Sequence, residues 1–269
     1  MTAVAPGDAT ITVTTVDGGM TATCAVKVKA ALPANTLPGE FSVSTTKKVL
    51  FSKGNLVATI DATGTPTAWK FATNQYDYIG EGGANKTIGV TAGDVDFFGW
   101  STASTTYGIS TSTFAGDYSW DFVDWGKAYC EKNNITPDNT WRTLSNDEWT
   151  YLFNTRTVNG GTGAGKSYSL NITYGGKMGV VLYPDDYTGS VLSGTVDSLP
   201  EGVVFLPAAG VRAGSEVNYF GDSGHYWSST AYDVIYSAYF VGFDSLDVNP
   251  DDYAPRNSGY SVRLITECQ

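Results

Sequence analysis

Residues 140–153 read TWRTLSNDEWTYLF, and this stretch marks a helix start more clearly than any other in the chain. Ser145 at the N-cap and Glu148 three residues on form a capping-box pattern, in which each side chain satisfies a backbone amide left open by the first helical turn. Trp149, Leu152 and Phe153 then fall on one face of the predicted helix. Just upstream, DFVDWGKAYCEK (121–132) places Phe122, Trp125 and Tyr129 at helical spacing, with Val123, Gly126 and Cys130 alongside, and predicts a second helix. Outward from this pair the period changes to two. FSVSTTKKVLFSKGNLVATI (41–60) alternates around a Lys53-Gly54-Asn55 turn. Beyond Gly160 come SYSLNITY (167–174), KMGVVLYP (177–184), GVVFLPAAG (202–210), YWSST (226–230), SAYFVGF (237–243) and YSVRLI (260–265). Strands, two helices, then strands again predict an α+β fold with the helices segregated from an antiparallel sheet.

Composition narrows the function classes. The 269 residues carry 16 Lys+Arg against 27 Asp+Glu, a net charge of -11, with 42% hydrophobic and only 16% charged residues. That is a packed chain, and its field repels polyanions, so no nucleic-acid partner is expected. There is no run of about 18 apolar residues, so no membrane insertion is expected. A single histidine leaves little acid–base capacity near neutral pH. Cys24, Cys130 and Cys268 show no C-x-x-C spacing. No metal and no cofactor is expected.

Three segments are expected. Residues 1–30 hold a β-hairpin: ATITVTTV and MTATCAVKVKA alternate on either side of Asp17-Gly18-Gly19. A lone hairpin with an apolar face needs a cover. Residues 31–38, with two prolines and no periodicity, read as a linker, and 39–269 as one larger domain. The stretch AVAPGDATITVTTVDGGMTATCAVKV (3–28) resembles the last strands of a bacterial Ig-like group 2 domain. That resemblance implies a partial Ig-like sandwich, an extracellular spacer on an exported or virion-borne protein.

Motifs that suggest catalysis weaken on inspection. Gly160 to Ser167 fits the phosphate-loop pattern, but that loop works only between a buried strand and a helix, and here a strand pattern follows. His225 lies near Ser228 and Ser229, yet there is no G-x-S-x-G elbow, and neighbouring strand residues face opposite ways. Asp185-Asp186 and Asp251-Asp252 read as solvated turns. No catalytic residue is assigned.

Several strings taken together, TWRTLSNDEWTYLF, GVVLYPDDYTG, FLPAAGVRAG, GHYWSST and NSGYSVRLI, with DVDFFGWSTAS near residue 100, resemble in order and spacing one family over roughly residues 40–266. It is the Bacteroidetes surface-protein family with a Fibrobacter-major-paralogous, C-type-lectin-like fold, which is shared with formylglycine-generating enzymes. The resemblance implies a C-type-lectin-like domain preceded by the hairpin remnant. It opens two branches. The formylglycine-generating branch binds copper through paired cysteines in its C-terminal part, where this chain has Cys268 alone. The other branch is the variable protein of diversity-generating retroelements, bacterial or phage-borne. There, codons between Y-W-S-S-T and S-V-R-L are rewritten at adenines and cannot become Trp, Met, Lys, Glu or Gln. AYDVIYSAYFVGFDSLDVNPDDYAPRN (231–257) contains none of these five.

This branch implies a non-enzymatic receptor or adhesin on a bacterial surface or virion, binding a protein or glycan on another cell. Its expected ligand face comprises Tyr232, Asp233, Ile235, Tyr236, Tyr239, Val241, Phe243, Asp247, Asn249, Asp251 and Tyr253. Tyrosine and phenylalanine give contact area at low rotamer cost, and short polar residues adapt their hydrogen bonds. Trp227, Arg263 and FLPAAG are expected as scaffold. Alternatives are a formylglycine-generating-type enzyme and a structural adhesin or fimbrial module. The lectin resemblance also implies a disulfide between Cys130, at the end of one helix, and Cys268, past the last strand.

Overall fold

The computed structural model describes residues 5, 7–28, 31–88, 91–103, 108–109, 118, 121–136, 140–234 and 236–268. The chain forms two compact units, Met1–Ala34 and Asn35–Gln269.

The first unit is a hairpin of β1 (Gly7–Thr14) and β2 (Thr21–Val28). Its register pairs Ala9 with Val26, Ile11 with Cys24 and Val13 with Ala22. Cross-strand partners share a face, so one side is apolar and the other is mostly threonine.

In the second unit strand accounts for most of the regular structure: 44% of the described residues of the chain are strand and 8% helix. The α+β class and the C-type-lectin-like architecture expected from the sequence are therefore corrected to a mainly β fold of several small sheets. The physical reason is local. The helical period over residues 121–132 supports only the eight residues of α1 (Trp125–Lys132), because Asp124 caps it by accepting from the Gly126 amide. The capping box opens only α2 (Asn146–Thr150), which passes at once into a π-helical turn, Tyr151–Thr155. The other regular elements of the unit are strands.

The chain begins this unit with β3 (Thr36–Ser42), which starts inside the stretch read as linker, and β4 (Lys48–Ser52). These join β18 (Leu264–Glu267) and β8 (Arg142–Thr143) in one sheet, ordered β3-β4-β18-β8. A second sheet is β6-β5-β7, from β5 (Leu56–Ile60), β6 (Pro66–Phe71) and β7 (Gly93–Val95). A third is β11-β9-β10-β12, from β9 (Tyr168–Tyr174), β10 (Lys177–Leu182), β11 (Gly194–Val196) and β12 (Val204–Pro207). β13 (Val211–Ala213) and β14 (Glu216–Asn218) form a ribbon. The last sheet is an antiparallel meander of β15 (Gly224–Ala231), β16 (Ser237–Phe243) and β17 (Val248–Pro255).

The two largest apolar clusters each join several of these sheets. One gathers Trp69, Phe71, Phe98, Trp100, Trp125, Tyr129, Trp141 and Trp227. The other gathers Phe41, Phe51, Trp149, Leu152, Phe153, Leu206, Tyr226 and Phe243. The inward face expected for Trp149, Leu152 and Phe153 is present, and all three are fully buried. The capping box is present on both sides, Glu148 amide to Ser145 and Ser145 amide to Glu148. Glu148 also receives a bidentate pair from Arg142, which reaches on to Glu267 of β18.

Helix α1 lies unusually close to β8. A methyl placed on Gly126 would sit 2.0 Å from the Trp141 carbonyl oxygen. Cys130 of α1 is buried in the first cluster, whereas Cys268 donates its amide to the carbonyl of Lys48, the first residue of β4. The two sulfurs remain thiols, so the disulfide implied by the lectin resemblance is not formed.

Asp185 is no solvated turn residue. Its carboxylate accepts from the Ser42 amide and hydroxyl (2.6 Å for the hydroxyl), from Lys48 (3.2 Å) and from Arg156 (3.3 Å). Arg156 is 2% exposed and donates further to the Tyr183 and Ser167 carbonyls. Burial pushes its pKa down to about 10, against the pull of Asp185. Partial burial opposes ionisation of Asp185, but Ser42, Lys48 and Arg156 outweigh it and hold the carboxyl below its ordinary value.

Two outcomes follow for stability. Gly126→Ala gains helix propensity but must push α1 off β8, a net loss of about 1–3 kcal/mol, measured by urea unfolding. Asp185→Asn leaves Arg156 without its counter-charge and costs about 2–3 kcal/mol at pH 7, at the low end for a buried pair because Asp185 is partly solvated. Since the folded-state pKa of Asp185 lies below the unfolded value of about 3.9, its contribution is complete above that value and is lost as pH falls through the folded one. The difference between wild type and Asp185→Asn therefore shrinks on acidification, and a constant difference from pH 7 to pH 2 would show that the charge is not responsible.

Candidate functional site

The β15-β16-β17 meander carries most of the residues expected to bind, and its register sorts them. Tyr239 of β16 stands opposite Tyr253 of β17. Tyr232, in the connection after β15, lays its ring on Tyr253 at 3.9 Å between centroids and 7° between planes. It meets Tyr239 edge-on at 5.0 Å and 89°. These three rings form one cluster, with Tyr253 52% exposed. Loss of water contact, then the Tyr253 and Tyr239 phenols and Asp233, raises the pKa of Tyr232, so its hydroxyl keeps its proton. Asp251 is exposed two residues before Tyr253, on the same side of β17. Asp233 is exposed beside Tyr232.

The structure separates the other expected residues from this cluster. Val241 and Phe243 share a strand face with Tyr239, but they are buried at 0% and 4% exposure beneath α2 and the strands of the second cluster. Phe243 rests on its register partner Gly224, where a methyl would meet the ring at 2.2 Å. These two are corrected from ligand face to core. Their place on one strand face, alternating with Phe240 and Gly242, was legible; the helix that covers this end of the sheet was not. Asn249 pairs with Gly242, which puts it on the opposite face with Phe240. Asp247 sits in the β16–β17 turn, where its amide and that of Leu246 bond to Asp244. Tyr236 takes a positive φ of 69° in the β15–β16 connection, and its carbonyl accepts from the Arg256 amide. Ile235 lies outside the described residues.

A set of internal ties fixes the platform, and the motif YWSST supplies most of them. Tyr226 donates its hydroxyl to the Pro207 carbonyl and accepts from Asn55. The Trp227 indole donates to the Phe98 carbonyl at 2.6 Å. Ser228 donates to the Tyr239 carbonyl and accepts from the Thr230 amide, closing the irregular register between Trp227 and Ala231. The Thr230 hydroxyl accepts from the Asn146 amide, and the Asn146 side chain donates to Asp251 at 2.7 Å. The first residue of α2 is thus pinned to both outer strands of the meander. Arg263 is buried and donates to Asn55 and Gln75. Trp227, Arg263 and Phe205 to Ala209 are all buried.

Among the described residues, the side chains of this sheet with catalytic potential are committed to packing and to the backbone. His225 is packed on Tyr260 at 5.0 Å and Phe240 at 5.5 Å. Burial lowers its pKa, so it is an uncharged aromatic spacer at neutral pH. Ser228 is committed to the backbone as above. The residue 160–167 loop turns its polar groups on itself, the Gly163 amide donating to Ser167, and β9 follows directly where a phosphate site needs a helix. Among the described residues no group of three or more His, Cys, Asp or Glu side chains is placed to hold a metal.

Sequence reasoning missed a cleft away from this platform. A cleft of about 370 Å³ is lined by Val57, Lys70, Phe71, Tyr78, Asp94 and Asp96, among others. Asp94 is ion-paired to Lys70 at 2.7 Å and takes the Thr59 hydroxyl. Burial lifts the Asp96 carboxyl to about 6 despite its bonds from Asn85 and the Ile79 amide. Both Asp96 oxygens are used in holding the 79–85 loop, so the group acts as a brace. The only signal in the sequence was the acidic pair two apart in GDVDFF, which fits any exposed strand edge.

Comparison with known proteins adds one partial match. No curated protein and no solved structure matches the chain. Residues 193–265, which include the whole meander, match the model of a domain of unknown function, DUF8237.

Proposed function

We propose that this protein is a non-enzymatic receptor or adhesin whose binding face is the Tyr232–Tyr239–Tyr253 cluster with Asp233 and Asp251. The observation that carries the reading is the position of three mutually packed tyrosines at the solvent side of a braced sheet. Stacked rings gain about 0.5–1.5 kcal/mol per pair beyond their burial, so the cluster is ordered before any ligand arrives. Ordering in advance lowers the entropic cost of binding. The expected ligand is a protein or glycan on another cell surface, and the expected location is extracellular, on a bacterial surface or virion. The retroelement resemblance agrees with this reading, because the face lies inside the 231–257 stretch whose composition fits adenine-directed rewriting.

The test uses glycan and peptide arrays probed with the wild-type chain, Tyr239→Ala and Tyr253→Ala. Central tyrosines of an interface contribute about 2 kcal/mol or more, so each variant should lose bound ligand about 30-fold. Melting temperatures of both should stay near wild type. Phe243→Ala is the contrast: it should lose about 3–5 kcal/mol of stability, as expected for a core aromatic. Tyrosine variants that unfold, or that bind every array ligand as well as wild type does, would reject the proposal.

A further inference from the structure

We infer that the group seated on the tyrosine cluster is an arginine side chain presented by a basic segment of a partner protein. The inference rests on the binding-face reading above and specifies its chemistry. Between Arg212 and Arg256 the sequence holds seven carboxylates, one histidine and no lysine or arginine. The meander, Gly224–Pro255, therefore carries five of these carboxylates and no lysine or arginine of its own. Exposed Asp233 adjoins Tyr232, and exposed Asp251 projects on the side of Tyr253 and is steadied by Asn146. Arg256, the next arginine along the chain, is turned away: its guanidinium lies over Trp100 at 4.5 Å and donates to the Ser237 carbonyl.

An aromatic face beside a carboxylate matches a planar cation. The ring quadrupole attracts it, and the carboxylate accepts its N–H groups. Arginine fits better than lysine because its guanidinium stacks and donates at once. The same fold already uses this pairing internally, with Arg156 over Phe41 at 5.0 Å and Lys177 over Tyr78 at 4.6 Å. An anionic ligand would meet repulsion from Asp233 and Asp251. A neutral one would have to strip water from both carboxylates without any charge in return.

The experiment measures fluorescence anisotropy of a labelled nine-residue peptide containing three arginines, and of its citrulline counterpart, at an ionic strength of about 0.15 M to screen the distant field. The arginine peptide should bind at least about ten-fold more tightly than the citrulline peptide, which keeps the shape and loses the charge. Asp233→Asn with Asp251→Asn should weaken the arginine peptide about ten-fold, and Asp233→Asn alone measurably, with the melting temperature recorded for each. Asp197→Asn with Glu201→Gln makes the same change in net charge at exposed sites elsewhere and should alter binding less than about two-fold. Equal binding of the citrulline peptide, or equal loss in the two charge-matched double variants, would overturn the inference. So would an array ligand that is lost in Tyr239→Ala and Tyr253→Ala but is uncharged or acidic; in that case the binding face itself would stand. Absence of any tyrosine-dependent ligand would reject the face and the inference together.

Discussion

A guanidinium cannot be buried without partners, and Arg156 meets that constraint by drawing separate parts of the fold to one point. Its donors reach Leu152 in the π-helical turn, Ser167 before β9, Tyr183 after β10 and Asp185, which is itself bound to Ser42 of β3. A chain built from sheets of two to four short strands has few long ladders to fix one sheet against another. Buried cations take over that role. Arg263 is a second junction, joining the start of β5 through Asn55, the loop before β7 through Gln75 and β12 through the Phe205 carbonyl. Arg212 is a third, bonded to Tyr118. Burial draws the pKa of each down to about 10, still well above neutral, so all three remain charged. A charge in this position tolerates only the arrangement that supplies its acceptors.

The sequence was most legible where structure is set within a few residues. Ser145 and Glu148 are three apart, and their capping box formed as read. The inward face of Trp149, Leu152 and Phe153 followed from spacing alone. The fold class was misread because helical periodicity says how a face is oriented and little about where a helix stops. Asp124 cuts α1 to two turns, and the π-helical turn takes over α2 after five residues. Strands as short as β8, β11, β13 and β14 leave no period to detect. Asp185 looked like a turn acid because its partners, Ser42, Lys48 and Arg156, lie 143, 137 and 29 residues away.

The proposed binding face shows the same division. Alternation along SAYFVGF correctly separates Ala238 and Phe240 from Tyr239, Val241 and Phe243. Which end of that second face meets water depends on α2, whose Asn146 is tied to Thr230 and Asp251 across about a hundred residues in one case. The register shift between Phe240 and Gly242 adds a change of phase in β17, so that Tyr253 and Val248 both face the side of Tyr239 and Phe243 although they are five residues apart. One continuous strand face thus has a fixed apolar half and an exposed aromatic half.

The β3-β4-β18 arrangement bears on how the second unit responds to being pulled. β3 and β18 run in the same direction on either side of β4, with Thr36 opposite Ser52 and Glu267 opposite Val49. The start of β3 and the end of β18 therefore lie at opposite ends of the shared strand. Tension applied between them acts along the strands and shears the ladders, loading their hydrogen bonds together where peeling from one end would break them in turn. Resistance to such a load is governed by the unfolding barrier and not by equilibrium stability. A load between those two points therefore passes through β4 and β18, each of which is buried at every position but one.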